Sequence, residues 1–234
     1  MADPVLAWQV DRVDAVLARA PAEPGWLSAS EAARLPGLAH GGRRGQFLAG
    51  RWLLRELLAR RAPATDPRDW ALDGTPGRAP ALAPGCPHVP GLDTLSLSHS
   101  GDWVAAAAGT GPLGMDIESW PPRRPRDAAA LLGAICQPPE QAHWLAGPPE
   151  GLAWRLHVCW TLKEAAAKAL GHAALPEPLR ALPCRPAAPG EPPNAGSWHG
   201  PRWVAALCQA RGLRAPLPAG WRAWCVDELP PLMV

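Results

Sequence analysis

Asp116 and Glu118 stand two apart in Leu113-Gly-Met-Asp-Ile-Glu118, a stretch that reads as a short strand, so both carboxylates point to one face. A lone D-x-E of this kind is most often a solvated strand end. It takes on another meaning beside Glu164, which lies further along in a helical stretch. If Glu164 joins the pair across two lobes of the fold, three carboxylates about 4 Å apart repel by roughly 4 kcal/mol per pair at an effective dielectric near 20. A hard divalent cation removes that cost. Mg²⁺ suits an all-oxygen ligand set and keeps positions for water and substrate phosphates. The expected chemistry is therefore Mg²⁺ gripping a pyrophosphate, with Asp116, Glu118 and Glu164 as metal ligands.

The basic residues fit the same picture. The chain has 23 Lys and Arg, but its only lysines are Lys163 and Lys168, both in Trp160-Thr-Leu-Lys-Glu-Ala-Ala-Ala-Lys-Ala-Leu-Gly171. Lys is a compact point charge on a flexible stem, whereas Arg is a broad, weakly hydrated fork. Two lysines in one helix suggest phosphate contact or proton steering. The bland alternative for Glu164 and Lys168 is an i,i+4 surface pair worth about 0.3–0.5 kcal/mol. Arg43, Arg44 and Arg51 lie at the start of another helical stretch, and Ser98-His99 precede a tight turn. A phosphomonoester accepts bidentate hydrogen bonds from Arg and single ones from Ser and His.

Competing motifs fail. Ser98 and His99 are strand neighbours facing opposite ways, and no G-x-S-x-G elbow exists. Gly109-Thr-Gly-Pro-Leu-Gly114 lacks the G-K-[ST] ending of a phosphate loop, and no dinucleotide-binding G-x-G-x-x-G unit is present. Thirteen Trp spread singly suggest core packing rather than base stacking.

These residues need elements to hold them. Val5 to Val10 is a short apolar run, and Ser28 and Glu31 are spaced as a capping box. From Gln46 to Arg61 the apolar stripe Phe47, Leu54, Leu57 and Leu58 predicts an amphipathic helix ended by Pro63. Residues 62–93 read as Pro/Gly-rich irregular chain. Leu95 to Ala108 reads as a hairpin turning at Gly101-Asp102. Residues 123–158 look helical in two pieces, broken at Pro138-Pro139 and Pro148-Pro149. Trp160 to Gly171 is a helix by its Ala and Leu content, stopped by Gly. Trp198 to Gln209 and Trp221 to Val226 are further strand candidates. Trp103-Val-Ala-Ala106 recurs as Trp203-Val-Ala-Ala206, either a repeated helix-plus-sheet plan or a coincidence in an Ala- and Trp-rich chain.

Bulk properties narrow the class. The 234 residues can bury a real core in one or two domains, and a net charge of +2 argues against a general polyanion surface. No stretch of about 18 apolar residues occurs. Met1-Ala-Asp-Pro4 lacks the basic and apolar regions of a secretory signal, and the six cysteines have neither C-x-x-C nor zinc-ligand spacing. A cytoplasmic protein with reduced thiols is expected.

Gly50-Arg51, Leu97-Ser-His-Ser100, Gly114-Met-Asp-Ile-Glu118 and Trp160-x-x-Lys-Glu-Ala-x-x-Lys-x-x-Gly171 occur in the order found in surfactin-type 4′-phosphopantetheinyl transferases, which the chain resembles over residues 43–171. The resemblance implies an α+β fold, a pseudo-dimer of two similar lobes with coenzyme A at their junction, here residues 1–112 and 113–234. It implies transfer of phosphopantetheine from coenzyme A to a serine of an apo acyl or peptidyl carrier protein, releasing 3′,5′-ADP. The carrier would be acidic and helical, serving fatty acid, polyketide, peptide or siderophore synthesis, and would dock on the Arg and apolar positions after Glu118. Carried over, Asp116, Glu118 and Glu164 hold Mg²⁺, Lys168 contacts the pyrophosphate with Lys163 beside it, and Glu164 or a water it polarises takes the serine proton. Ser98, His99, Arg51 and Arg43 or Arg44 bind the 3′-phosphate. Two departures stand out: Gly77-Arg-Ala-Pro80 has one residue more than the family's adenine-side loop, which loosens the assignment of Arg78, and His172 replaces the expected second Gly after Gly171. A monomer is expected, with neither nucleic acid nor membrane as partner. The alternatives are an Mg²⁺-dependent coenzyme A or nucleotide pyrophosphatase and a non-catalytic coenzyme A or carrier-binding module.

Overall fold

The computed structural model describes residues 6–38, 41–122, 126–171, 179–210, 212–213 and 220–227. The chain is a mixed α+β protein in two compact units, Met1–Gly111 and Pro112–Val234.

The N-terminal unit runs β1 (Leu6–Arg12), α1 (Val13–Arg19), α2 (Ala29–Ala32), α3 (Gly41–Arg61), a small ribbon of β2 (Leu72–Asp73) and β3 (Ala81–Leu82), then β4 (Thr94–Ser100) and β5 (Trp103–Gly109). The capping box at α2 is complete: Ser28 Oγ accepts from Glu31 N, and Glu31 Oε2 accepts from Ser28 N. Its three-stranded antiparallel sheet has the order β1-β5-β4. Gly101 makes the β4–β5 turn at φ +55°, a left-handed conformation that suits glycine. Leu53, Leu54 and Leu58 of α3 are fully buried with Val104 and Ala106 of β5. Each such leucine contributes about 1.5–3 kcal/mol by leaving water.

The C-terminal unit runs β6 (Leu113–Ser119), α4 (Ala128–Ile135), α5 (Pro138–Leu145), α6 (Leu152–Ala169), β7 (Cys184–Pro186), β8 (Ala195–Gly200), β9 (Trp203–Gln209) and β10 (Arg222–Val226). Its sheet order is β6-β9-β8-β10-β7. The helices break at both proline pairs, as expected, and the prolines also lead into the helices that follow. Pro138 opens α5, where an N–H would find no partner anyway, and Pro149 sits in the 3-10 turn leading into α6. The sequence-read helix from Trp160 is therefore the second half of a longer one.

The two copies of the Trp-Val-Ala-Ala sequence take matching places in their hairpins. In one unit Ser100 faces Trp103 and His99 faces Val104, while in the other Gly200 faces Trp203 and His199 faces Val204. The first strands also match. Leu6–Arg12 runs antiparallel to Gly109–Trp103, and Leu113–Ser119 to Gln209–Trp203, each over seven residues without a slip.

Candidate functional site

Helix α6 packs directly over β6 and β9. A Cβ placed on Gly114 would lie 1.9 Å from Ala165 O and 2.5 Å from Ala169 N, so the bare glycine lets the helix backbone touch the strand. That contact sets the two sequence-distant halves of the carboxylate set on packed elements, without bringing oxygens of all three acids within 4.8 Å of one another. Asp116 and Glu118 lie on β6 and Glu164 on α6, all within the C-terminal unit, which corrects the expectation that they meet across lobes.

Asp116 is 2% exposed and Glu118 is half-buried. Lys168, one helical turn beyond Glu164, places Nζ 2.6 Å from Asp116 Oδ1 and donates to Met115 O at 3.3 Å. Nearly a third of its side chain remains open to solvent. Burial, then the charge of Asp116, then that of Glu118, outweigh Lys168 and push the Glu164 carboxyl up to about 8. Three acids answered by one ammonium are short of positive charge. An oxygen-only donor set of this kind fits a hard divalent cation.

Lys163 points elsewhere, and its sequence-based place beside the pyrophosphate is corrected. Its side chain is fully buried; Nζ lies 2.9 Å from Glu140 Oε2 and donates to Leu179 O at 3.1 Å and Leu182 O at 2.8 Å. Glu140 Oε1 accepts from Cys184 N at 2.9 Å. The ammonium thus clamps α6 to α5 and to the turn entering β7. The cysteines, scattered singly in sequence, gather here: ligand atoms of Cys136, Glu140 and Cys159 lie within 4.8 Å of one another. Lys163 already supplies the cation to Glu140, and burial pushes the Cys159 and Cys184 thiols well above their ordinary range.

The residues assigned to the 3′-phosphate lie in the N-terminal unit. Arg51 on α3 is buried, its Nε 3.7 Å from Glu31 Oε1 and its Nη1 donating to Asp73 O. Burial pulls its guanidinium down to about 10. Arg34, which sequence reading passed over, lies 4.9 Å from the Phe47 ring that Arg51 approaches at 5.3 Å, and donates to Gly74 O. Ser98 is buried and its neighbour His99 exposed, so alternation along β4 turns them to opposite faces. Arg43, Arg44 and Arg78 are exposed. Of the docking residues after Glu118, Arg123 and Arg124 lie outside the described residues, as does His172.

Residues 112–210 match the model of the 4′-phosphopantetheinyl transferase superfamily. The matched span runs from the start of the C-terminal unit through β9 and includes the whole carboxylate set. No curated protein matches the chain.

Proposed function

We propose that this chain is a surfactin-type 4′-phosphopantetheinyl transferase that moves the phosphopantetheine of coenzyme A to a serine of an apo acyl or peptidyl carrier protein. The observation that carries the reading is the Lys168–Asp116 contact beside a Glu164 carboxyl that feels the charges of Asp116 and Glu118, all within the stretch that matches the superfamily. The repeated strand order of the two units supports the pseudo-dimeric plan that goes with it.

In this reading Asp116, Glu118 and Glu164 hold Mg²⁺, which neutralises charge on the pyrophosphate. Lys168, held by Asp116 and Met115 O and partly open to solvent, has one N–H donor left for the same phosphates. The carrier serine hydroxyl attacks the β-phosphorus of coenzyme A. The bond to the 3′,5′-ADP oxygen breaks, and Glu164, directly or through a water, receives the hydroxyl proton. Such transfers draw mainly on positioning and charge neutralisation, with the base contributing about 10²–10⁴-fold. Arg51 and Arg34, with Ser98 and His99, are assigned to the 3′-phosphate. Arg43 or Arg44 is assigned to the same phosphate, and Arg78 to the adenine side of the cofactor.

The test is incubation with coenzyme A, Mg²⁺ and a panel of apo carriers, read by intact mass. Gain of one phosphopantetheine on a carrier supports transfer. Hydrolysis of coenzyme A with unmodified carriers identifies a pyrophosphatase, and binding without turnover identifies a silent module; either result overturns the proposal.

A further inference from the structure

The internal repeat extends to the helices. Trp52-Leu-Leu-Arg-Glu-Leu-Leu-Ala-Arg60 in α3 has the spacing of Trp160-Thr-Leu-Lys-Glu-Ala-Ala-Ala-Lys168 in α6. Each basic residue in the middle is buried against a glutamate, Arg55 with Glu31 and Lys163 with Glu140. Strand register aligns the remaining positions. Gln9 and Asp11 face Ala106 and Val104, as Asp116 and Glu118 face Ala206 and Val204. Glu56 then corresponds to Glu164 and Arg60 to Lys168. The contacts repeat as well: Arg60 Nη2 donates to Gln9 Oε1, as Lys168 Nζ donates to Asp116 Oδ1. Gln9, Asp11, Glu56 and Arg60 line one cleft of about 640 Å³ in the N-terminal unit.

Arg19 is the chief difference between the two arrangements, beside Gln9 in the place of Asp116. Arg19, at the end of α1, bridges the two acids of this cleft. Its Nε donates to Glu56 Oε1 at 2.8 Å and Oε2 at 3.0 Å, and its Nη2 to Asp11 Oδ2 at 2.7 Å. Its Nη1 is tied to Ala15 O, which holds the side chain in place. Asp11 and Glu56 against Arg19 and Arg60 sum to zero charge. With Glu164 ionised, as a bound cation would require, Asp116, Glu118 and Glu164 against Lys168 leave two negative charges, the amount one divalent cation cancels. Trp52 Nε1 also donates to Glu56, whereas Trp160 Nε1 is buried with no hydrogen-bond partner.

We infer that the N-terminal unit holds a second, self-neutralised copy of the carboxylate site, in which the Arg19 guanidinium occupies the place of a divalent cation. The inference rests on the cation reading of the Asp116 set but not on the transfer reaction. The full-length chain therefore binds one divalent ion, and vacating Arg19 opens a second position between Asp11 and Glu56. Because Gln9 stands where the first copy has a carboxylate, the opened position carries one negative charge fewer than the first copy. It reaches the same count only when Gln9 is also made acidic.

Manganese binding, followed by loss of the free-ion electron paramagnetic resonance signal, tests this in a Glu164→Gln background that weakens the first site. Adding Arg19→Met should raise bound manganese about tenfold at equal free ion, equivalent to 1.4 kcal/mol. Adding Gln9→Asp should raise it further, Asp11→Asn should abolish the gain, and Arg19→Lys, which keeps a cation, should give none. Arg19→Gln replaces the methionine variant if that one is not folded by circular dichroism. Absence of any gain in folded Arg19→Met and Arg19→Met/Gln9→Asp proteins overturns the inference. Undiminished manganese binding by Glu164→Gln alone instead refutes the cation reading of the first site, and the Arg19 arms still judge the second copy.

Discussion

Glu164→Gln in the metal-free protein gives the sharpest reading of the carboxylate set. The native carboxyl is held up to about 8 against an ordinary 4.5, first by burial and then by Asp116 and Glu118. Between these values the folded chain keeps a proton that the unfolded chain has released, so stability must fall as pH rises through the window. At about 1.4 kcal/mol per unit, the loss between pH 6 and pH 8 is roughly 2 kcal/mol, flattening above about pH 9. For a chain of this size that is a drop in melting temperature of about 4–8 °C. The amide cannot ionise, so the variant should lack this slope. His157, which burial holds below its ordinary value, contributes the opposite sign near pH 6, but both proteins share it and it cancels in the difference. The assay is thermal unfolding at several pH values with a chelator present, then again with Mg²⁺. Added Mg²⁺ should remove most of the slope from the parent and do nothing to the variant. Parallel melting curves for the two proteins would refute the claim that Glu164 shares a crowded, charge-deficient site.

Other expectations follow from the same geometry. Lys163→Met leaves Glu140 buried without its cation and should cost about 3–5 kcal/mol by denaturant titration, with little change in coenzyme A affinity in the fraction that folds. Gly114→Ala must push α6 off β6, because its methyl would sit inside Ala165 O; the melting temperature and transfer rate should fall together. Arg51→Gln should raise KM for coenzyme A while leaving that for the 3′-dephospho form unchanged, measured side by side in the transfer assay. Arg185→Ala removes an exposed pair with Glu191 and should move stability by no more than about 1 kcal/mol.

Much of this arrangement was legible in the sequence, for physical reasons. The D-x-E strand was readable because two-residue periodicity fixes the face, and the capping box because its two hydrogen bonds demand that spacing. The hairpin at Gly101 was announced by a residue able to take positive φ. What sequence could not supply was direction on a helix whose neighbours were unknown. Lys163 and Lys168 are both basic and both in the same motif, but five positions on a helix are 500° apart, so one turns inward to Glu140 and the other to Asp116. The thiol gathering of Cys136 and Cys159, Sγ atoms 3.4 Å apart, depends on how α4 meets α6 and has no local trace. The helix repeat went unread because Arg replaces Lys and Leu replaces Ala between its copies, changes that preserve the pattern but hide the identity.

The bare meeting of Gly114 with the backbone of Ala165 and Ala169 has one more implication. Where main chain touches main chain, the spacing is set by atoms that no ordinary substitution alters. The gap between the acids of β6 and Glu164 is thus insulated from changes in the oily side of α6. Drift among Leu156, Leu162 and their neighbours should shorten the working life of the protein long before it blunts the chemistry.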